Sequence, residues 1–385
     1  MVIHKETMRT ANERSVLQRI FTESPISKSQ IARDVKLNKV TVSQIVNRFI
    51  ESGLVVEAGA GDSTQQGGRK PNLLQINARY GYVVCIDLGY HELSALAMTI
   101  SGQKLEIRRI NFTDNDISSA ISKIKGLIVE LKTEYGEKNL GILISVHGIV
   151  YQNQVIYSPF WNMHDVDIAA VLTKSLGITV LLENEANLTA IFERDFSSEG
   201  IRNAVSISMH KGIGAGIIMD GELYRGRKGE AGEIGQTIAF ETKDKSLAES
   251  QKIEDVASQE AVLDQIKQAK NLDYINLPLI RQMYDDHDPV TLEILQRFEN
   301  NIIKLINNVI VSFDPDVLFI NAYIFKEFPE LLERIRTKFA KISVRDTPIV
   351  LSKNVETASL YGGCAQMIQE ILGFSKLKLD FKSKE

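Results

Sequence analysis

The residues best suited to chemistry gather in two short segments. Leu182-Glu183-Asn184-Glu185-Ala186-Asn187 sets an amide among carboxylates where an apolar strand, Ile178 to Leu182, gives way to a helix, the position at which open α/β sheets bind ligands. Gly229-Glu230-Ala231-Gly232-Glu233-Ile234-Gly235-Gln236 places Glu233 and Gln236 three apart between glycines. A polyol hydroxyl both donates and accepts, so a monosaccharide suits carboxylates such as Glu185 and Glu233 beside amides such as Asn184 and Gln236. A polar loop or a helix cap is the plainer explanation of either segment. Three glycine-bearing strand ends, Asp87-Leu88-Gly89, His147-Gly148 and Gly212-Ile213-Gly214-Ala215-Gly216, would let a ligand approach the backbone, although glycine also serves ordinary tight turns.

The elements around these segments alternate between strand and helix. Tyr82 to Asp87 and Leu93 to Ile100 read as paired strands, Ile117 to Tyr135 as a helix, and Leu140 to Val146 as a buried strand. Helix from Ala186 to Arg194 and strands from Ala204 to Met209 and Gly214 to Met219 follow. Then come a long helix near Val290 to Phe313, a strand at Val317 to Ile320, a helix near Phe328 to Phe339, a strand at Ile349 to Leu351 and a closing helix from Ala358. This is an α/β architecture of about two lobes. The long helix carries Ile302, Ile303, Leu305, Ile306, Val309 and Ile310, most of which belong in a core.

The first 79 residues have a different texture. Val16, Leu17, Ile20 and Phe21 share one helical face between Thr10 and Glu23, and Ser27 with Gln30 matches a capping box before a short helix to Val35. Asn38 is a good N-cap for a third helix, Lys39 to Ser52, which Gly53 can end. Strands at Leu54 to Glu57 and Asn72 to Ile76 flank a loop whose tip holds Gly67-Gly68-Arg69-Lys70-Pro71. Together they predict a winged helix-turn-helix over residues 1–79, with the α/β part over 80–385. Lys39, Thr41, Val42, Ser43 and Gln44 would lie nearest the base edges in the major groove. Lys28 and Arg48 would meet phosphates, and Arg69 and Lys70 a narrow minor groove. One reading head calls for a dimer on a two-fold DNA site.

Charge agrees with that division. Of 385 residues, 45 are Lys or Arg and 49 Asp or Glu, a net charge of −4. Residues 1–79 hold 12 basic against 7 acidic side chains, and the remainder 33 against 42, the asymmetry expected when one part meets a polyanion. Cys85 and Cys364 are the only cysteines; they make neither a disulfide framework nor a zinc site, and a reducing cytoplasm suits them. No apolar run of signal-peptide or membrane-spanning character is present, so neither secretion nor a membrane partner is expected.

Asp87-Leu88-Gly89, Glu183-Asn184-Glu185-Ala186-Asn187, Gly212 to Gly216, Leu223-Tyr224-Arg225-Gly226 and Ala231-Gly232-Glu233-Ile234-Gly235 occur in an order that resembles the ROK family of repressors, open reading frames and kinases, over about residues 10–372. A winged helix-turn-helix in front resembles its repressor branch, known from xylose and N-acetylglucosamine repressors. The resemblance implies an actin-like, hexokinase-type, two-lobed scaffold with a sugar site in the cleft, formed by Gly148, Asn184, Glu185, Glu233, Gln236 and, by alignment with the family's sugar-contacting glutamate, Glu254.

Departures from the kinase pattern imply a repressor without catalysis. The acidic-Gly-Gly-Thr phosphate loop is Asp87-Leu88-Gly89-Tyr90-His91-Glu92, the Gly-Thr-Gly loop is His210-Lys211-Gly212, and the adenosine-side Gly-Gly is Asn321-Ala322. The kinases' catalytic Asp is Glu185, a vestigial base position. Gln236 stands where the zinc-binding His would be, and Thr237 to Ile253 has no cysteine, so neither metal nor other cofactor is expected. The implied function is a sugar-responsive DNA-binding repressor of carbohydrate-utilisation genes, with xylose and glucose as the effector candidates of the nearest branch. An active ROK sugar kinase with a regulatory head is the alternative, and a second part that only dimerises is a third reading. Trp161 is expected near the cleft or in the core.

Overall fold

A computed structural model describes residues 2–60, 70–112, 116–163, 166–197, 201–239, 251–374 and 379–381, with side chains from residue 11 onward. The chain forms two compact units. One comprises Met1–Val146, Asn153–Leu182 and Gly363–Glu385, and the other His147–Gln152 and Glu183–Gly362.

Residues 1–79 lie in the first unit as three helices and a three-stranded antiparallel sheet. The first helix, Val2–Glu23, starts well before the expected Thr10 and buries Val16, Leu17, Ile20 and Phe21. Ser27 caps Lys28–Asp34 by accepting from the Gln30 N–H at 3.2 Å, but Gln30 turns its side chain to Asp34 and Arg33, so the capping box is half made. Asn38 caps Lys39–Glu51, its Oδ1 accepting from Thr41 N–H at 2.8 Å. The sheet pairs Val55–Ala60 with Asn72–Ile76, and adds Ile26–Ser27 on the other side, a two-residue strand too short to leave a periodic signal.

The same unit contains a five-stranded mixed sheet in the order Val180–Asn184, Asn139–Val146, Tyr82–Leu88, Glu92–Thr99, Lys104–Asn111. Tyr82–Leu88 runs parallel to Asn139–Val146 and antiparallel to Glu92–Thr99. Helix Ile117–Tyr135 buries Ile117, Ala120, Ile121, Ile124, Leu127, Ile128 and Leu131, a stripe at helical spacing. Trp161 belongs to the core here: it is 3% exposed, meets the Phe112 ring edge-on at 5.1 Å, and donates its indole N–H to Gly89 O. Val155 to Met163 line an open depression of about 510 Å3.

The second unit is built on a sheet in the order Glu222–Leu223, Ile213–Met219, Ala204–Met209, Val317–Asn321, Ile349–Leu351. Ala204–Met209 is antiparallel to Ile213–Met219 and parallel to Val317–Asn321. Helix Glu185–Phe192 lies so close to the sheet that a Cβ on Gly216 would stand 2.2 Å from Ala186 O. The long helix, Pro289–Phe313, buries Ile302, Ile303, Leu305, Ile306, Val309 and Ile310 as core. Its buried Glu299 carboxylate accepts from Arg334 at 2.6 and 2.8 Å and from Lys338 at 2.8 Å, the pairing a charge in such a place requires.

Helices Ile168–Leu176, Gln259–Ala269 and Leu277–Asp285 and the strand Lys104–Asn111 add to the elements expected from sequence. The last helix, Ala358–Ile371, is followed by buried Phe374, Leu379 and Phe381 in the first unit. Among the described residues no helix is long and apolar enough to cross a membrane.

Candidate functional site

All six residues expected to hold a sugar fall in the second unit. Val180–Asn184 ends where Asn184 becomes the N-cap of Glu185–Phe192, its Oδ1 accepting from Asn187 N–H at 3.1 Å. The helix-cap explanation of this segment therefore holds as well. The cap also aims the amide, because Asn184 Nδ2 donates to Gly148 O at 2.7 Å. Gly148 has φ +145, in the range that favours glycine.

Glu185 follows the cap and points back over the sheet. Its carboxylate receives the Ser208 hydroxyl at 2.8 Å from either oxygen and the Thr189 hydroxyl at 3.0 Å, and His210 Nε2 lies 4.0 Å away. Ser208 is the penultimate residue of Ala204–Met209, so the sheet sets the height of this carboxylate. Asn321, at the end of the neighbouring parallel strand, is 1% exposed and donates to Thr189 Oγ1 at 3.4 Å.

A second cluster sits on the glycine-rich loop. Gln236 Nε2 donates to the Glu254 carboxylate, and the Lys252 ammonium donates to Gln236 Oε1. The side chain at the family's zinc position is thus engaged by an amine and a carboxylate. A Cβ on Gly212 would lie 3.1 Å from Glu254 Oε2, and one on Gly235 2.8 Å from it, so two glycines leave room for that carboxylate. Glu233 takes the N-cap position of the short turn Ile234–Gln236 without a side-chain cap hydrogen bond. The segment His210-Lys211-Gly212 joins the clusters, with His210 beside Glu185 and Gly212 beside Glu254. Among the described residues no three His, Cys, Asp or Glu side chains are grouped to hold a metal ion; residues 240–250, which include Lys243, Asp244 and Lys245, lie outside them.

Burial, then the Glu254 and Glu230 carboxylates, raise Glu233 above the usual carboxylate range. The fold holds that proton more tightly than the unfolded chain. The contribution to stability is therefore full below the ordinary carboxylate value and is lost as pH rises through Glu233's own, higher value. Glu233→Gln is expected to flatten the fall of stability across this window, measured by urea unfolding between about pH 4 and 7. An unchanged pH slope would show that Glu233 does not titrate there.

Of the residues expected to face DNA, Val42 is not placed to do so. Val42 is fully buried with Ile45 and Val46 and holds the helix to its own core, so it cannot reach a base edge. The exposed valine is Val40, at 68%, beside exposed Lys39 and, one turn on, exposed Gln44 and Asn47; Thr41 and Ser43 are half-buried. Lys28 donates to Asn47 at 2.8 Å and Arg48 pairs with Glu13, which brings both cations onto side chains of the same head. Lys70 is exposed, and Arg69 lies outside the described residues.

The ROK family model matches residues 83–369. The chain belongs to the ROK family. It is 35% identical to the xylose repressor of Lactiplantibacillus pentosus over 386 residues, which covers 100% of this chain and 99% of that one. It is 36% identical to the xylose repressor of Staphylococcus xylosus, over 96% of this chain and 98% of the other. A solved ROK family transcriptional regulator, a homologue of the E. coli MLC protein, superposes with TM-score 0.80 at 24% identity over 96% of this chain and 98% of its own. The ROK fold accounts for both mixed sheets.

Proposed function

We propose that this ROK chain is a sugar-responsive transcriptional repressor of carbohydrate-utilisation genes. In this reading residues 1–79 form a winged helix-turn-helix on operator DNA, and residues 80–385 form the effector and oligomerisation part. A monosaccharide held by Gly148, Asn184, Glu185, Glu233, Gln236 and Glu254 releases the operator. The observation that carries it is similarity along the whole chain to proteins named xylose repressors, including the N-terminal residues that the family model leaves uncovered. The basic balance of residues 1–79 and the exposed Lys39, Val40, Gln44 and Asn47 on one helix support the DNA assignment. Gln44 suits adenine, and Val40 offers the apolar contact for a thymine methyl that Val42 cannot make. Two copies on a two-fold operator supply the second reading head, and such a regulator works in the cytoplasm.

The same reading makes the chain non-catalytic. At the first phosphate loop the Gly89 N–H is donated to Glu92 O at 3.1 Å, and the Asp87 carboxylate accepts the Ser145 hydroxyl. At the second loop His210 and Lys211 replace small residues, and burial lowers Lys211 below an ordinary lysine. Turnover of ATP with any hexose would overturn this part.

Fluorescence anisotropy on a labelled duplex selected from a random pool tests the whole reading. D-xylose is expected to weaken operator binding by about 5- to 150-fold, the range of ordinary allosteric couplings. Indifference to D-xylose and to every other pentose and hexose would remove induction by sugar.

A further inference from the structure

Leu223-Tyr224-Arg225-Gly226 is a resemblance motif that lies outside the sugar site, and its arginine touches residues that adjoin both halves of that site. The strand Glu222–Leu223 is the edge of the second unit's sheet, pinned by Tyr224 N–H to Ile217 O at 2.8 Å. Arg225 then sends its side chain inward. Its Nε lies 2.8 Å and its Nη2 2.6 Å from Glu183 Oε2, while Glu183 Oε1 accepts from Asn184 N–H at 3.0 Å and from Asn187 Nδ2 at 2.9 Å. The Glu183 side chain is 5% exposed and that of Arg225 45%, so a surface cation neutralises a buried carboxylate directly before the Asn184-Glu185 turn. Arg225 also acts through its backbone. Its carbonyl accepts from Ala231 N–H at 3.3 Å, and Gly226, at φ +69, leaves 3.1 Å between a notional Cβ and the Ala231 methyl. Ala231 immediately precedes Gly232 and Glu233.

We propose that Arg225 is a positioning residue of the sugar site. Through Glu183 it fixes the amide and carboxylate of Asn184-Glu185, and through Ala231 it fixes the loop that carries Glu233 and Gln236, so the two halves keep one spacing. The inference rests on the sugar-site reading above. A guanidinium suits this place because Nε and Nη2 converge on Glu183 Oε2 and carry a permanent charge, which a lysine or an amide does not reproduce.

The test is isothermal titration of the full chain with D-xylose and D-glucose, at a temperature well below each variant's own unfolding midpoint. Arg225→Gln is expected to weaken D-xylose binding by about 10- to 100-fold, the size of effect that groups behind metal ligands have on affinity. Glu183→Gln should do the same, and the double variant should be little worse than either, because one link broken twice is not additive. Arg225→Lys, which keeps the charge and loses the fork, should fall in between. Wild-type affinity in Arg225→Gln, or additive losses in the double variant, overturns the proposal. If Arg225→Gln does not fold, Arg225→Lys decides: a loss of about threefold or more supports the link, and wild-type affinity overturns it. Wild-type protein that binds no sugar at all removes the sugar-site reading and this inference with it, an outcome distinct from unchanged binding in the variants.

Discussion

Gly232→Ala is expected to abolish sugar binding while leaving operator binding in place. Gly232 sits at φ +92, and a Cβ there would stand 1.8 Å from Ala215 O and 2.9 Å from the Ala215 carbonyl carbon. The left-handed backbone alone costs a non-glycine residue about 1–3 kcal/mol. The contact is worse, because its partner is backbone in the strand Ile213–Met219 and cannot rotate away. Ala215 N–H also donates to Gly232 O at 2.8 Å, so loop and strand are fastened at the point where the methyl would force them apart. The loop must move, and Glu233 moves with it. Gly136→Ala makes a matched control: Gly136 has φ +90 with nothing within 4 Å of the added carbon, so it bears the strain without the collision. Titration with D-xylose and urea unfolding of both variants separate the two terms. If Gly232→Ala binds D-xylose as the wild type does, Glu233 is not held by this loop.

Helix starts were legible because a cap is a local event. Asn38 and Ser27 each hold a backbone N–H three residues on, and that bond needs nothing from the rest of the chain. The buried stripe of the helix Lys39–Glu51 is narrower than its apolar content. Val42, Ile45, Val46 and Phe49 fall at i, i+3, i+4 and i+7, whereas Val40 lies two residues before Val42 and so faces away from it on a helix.

In the candidate sugar site, the residue types and the turn that carries Asn184 and Glu185 could be read directly, since strand, cap and helix are contiguous there. What holds them could not be. Glu183 meets Arg225 across three intervening strands of the chain, Gln236 meets Lys252 and Glu254, and Glu185 rests on Ser208. Such pairings are fixed by sheet order and register, which one sequence leaves open. The edge strand Lys104–Asn111 escaped for a related reason: it is mostly half-buried, so its apolar and charged residues do not separate into two clean faces.

Removing the Phe381 ring should cost about 3–5 kcal/mol, as large as any single core truncation, although only four residues of the sequence follow it. Phe381 and Phe21 are both 0% exposed, and their rings meet edge to face at 5.0 Å and 70°, the geometry that aromatic pairs prefer. Leu379 and Phe374 are buried with it in the same unit. Phe21 belongs to the first helix, whose Val16, Leu17 and Ile20 form the core under residues 1–79, so the C-terminal tail completes the core of the head at the other end of the chain. Phe381→Ala leaves a ring-sized cavity against a helix that packs on Lys28–Asp34 and Lys39–Glu51, and denaturant unfolding should show the loss directly. Operator binding should then fail at a lower temperature than in the wild type, while D-xylose binding in the second unit survives. Phe381→Leu, which keeps most of the volume, should cost less than about 1.5 kcal/mol. Equal stability of Phe381→Ala and wild type would show that the tail only covers the head and does not support it.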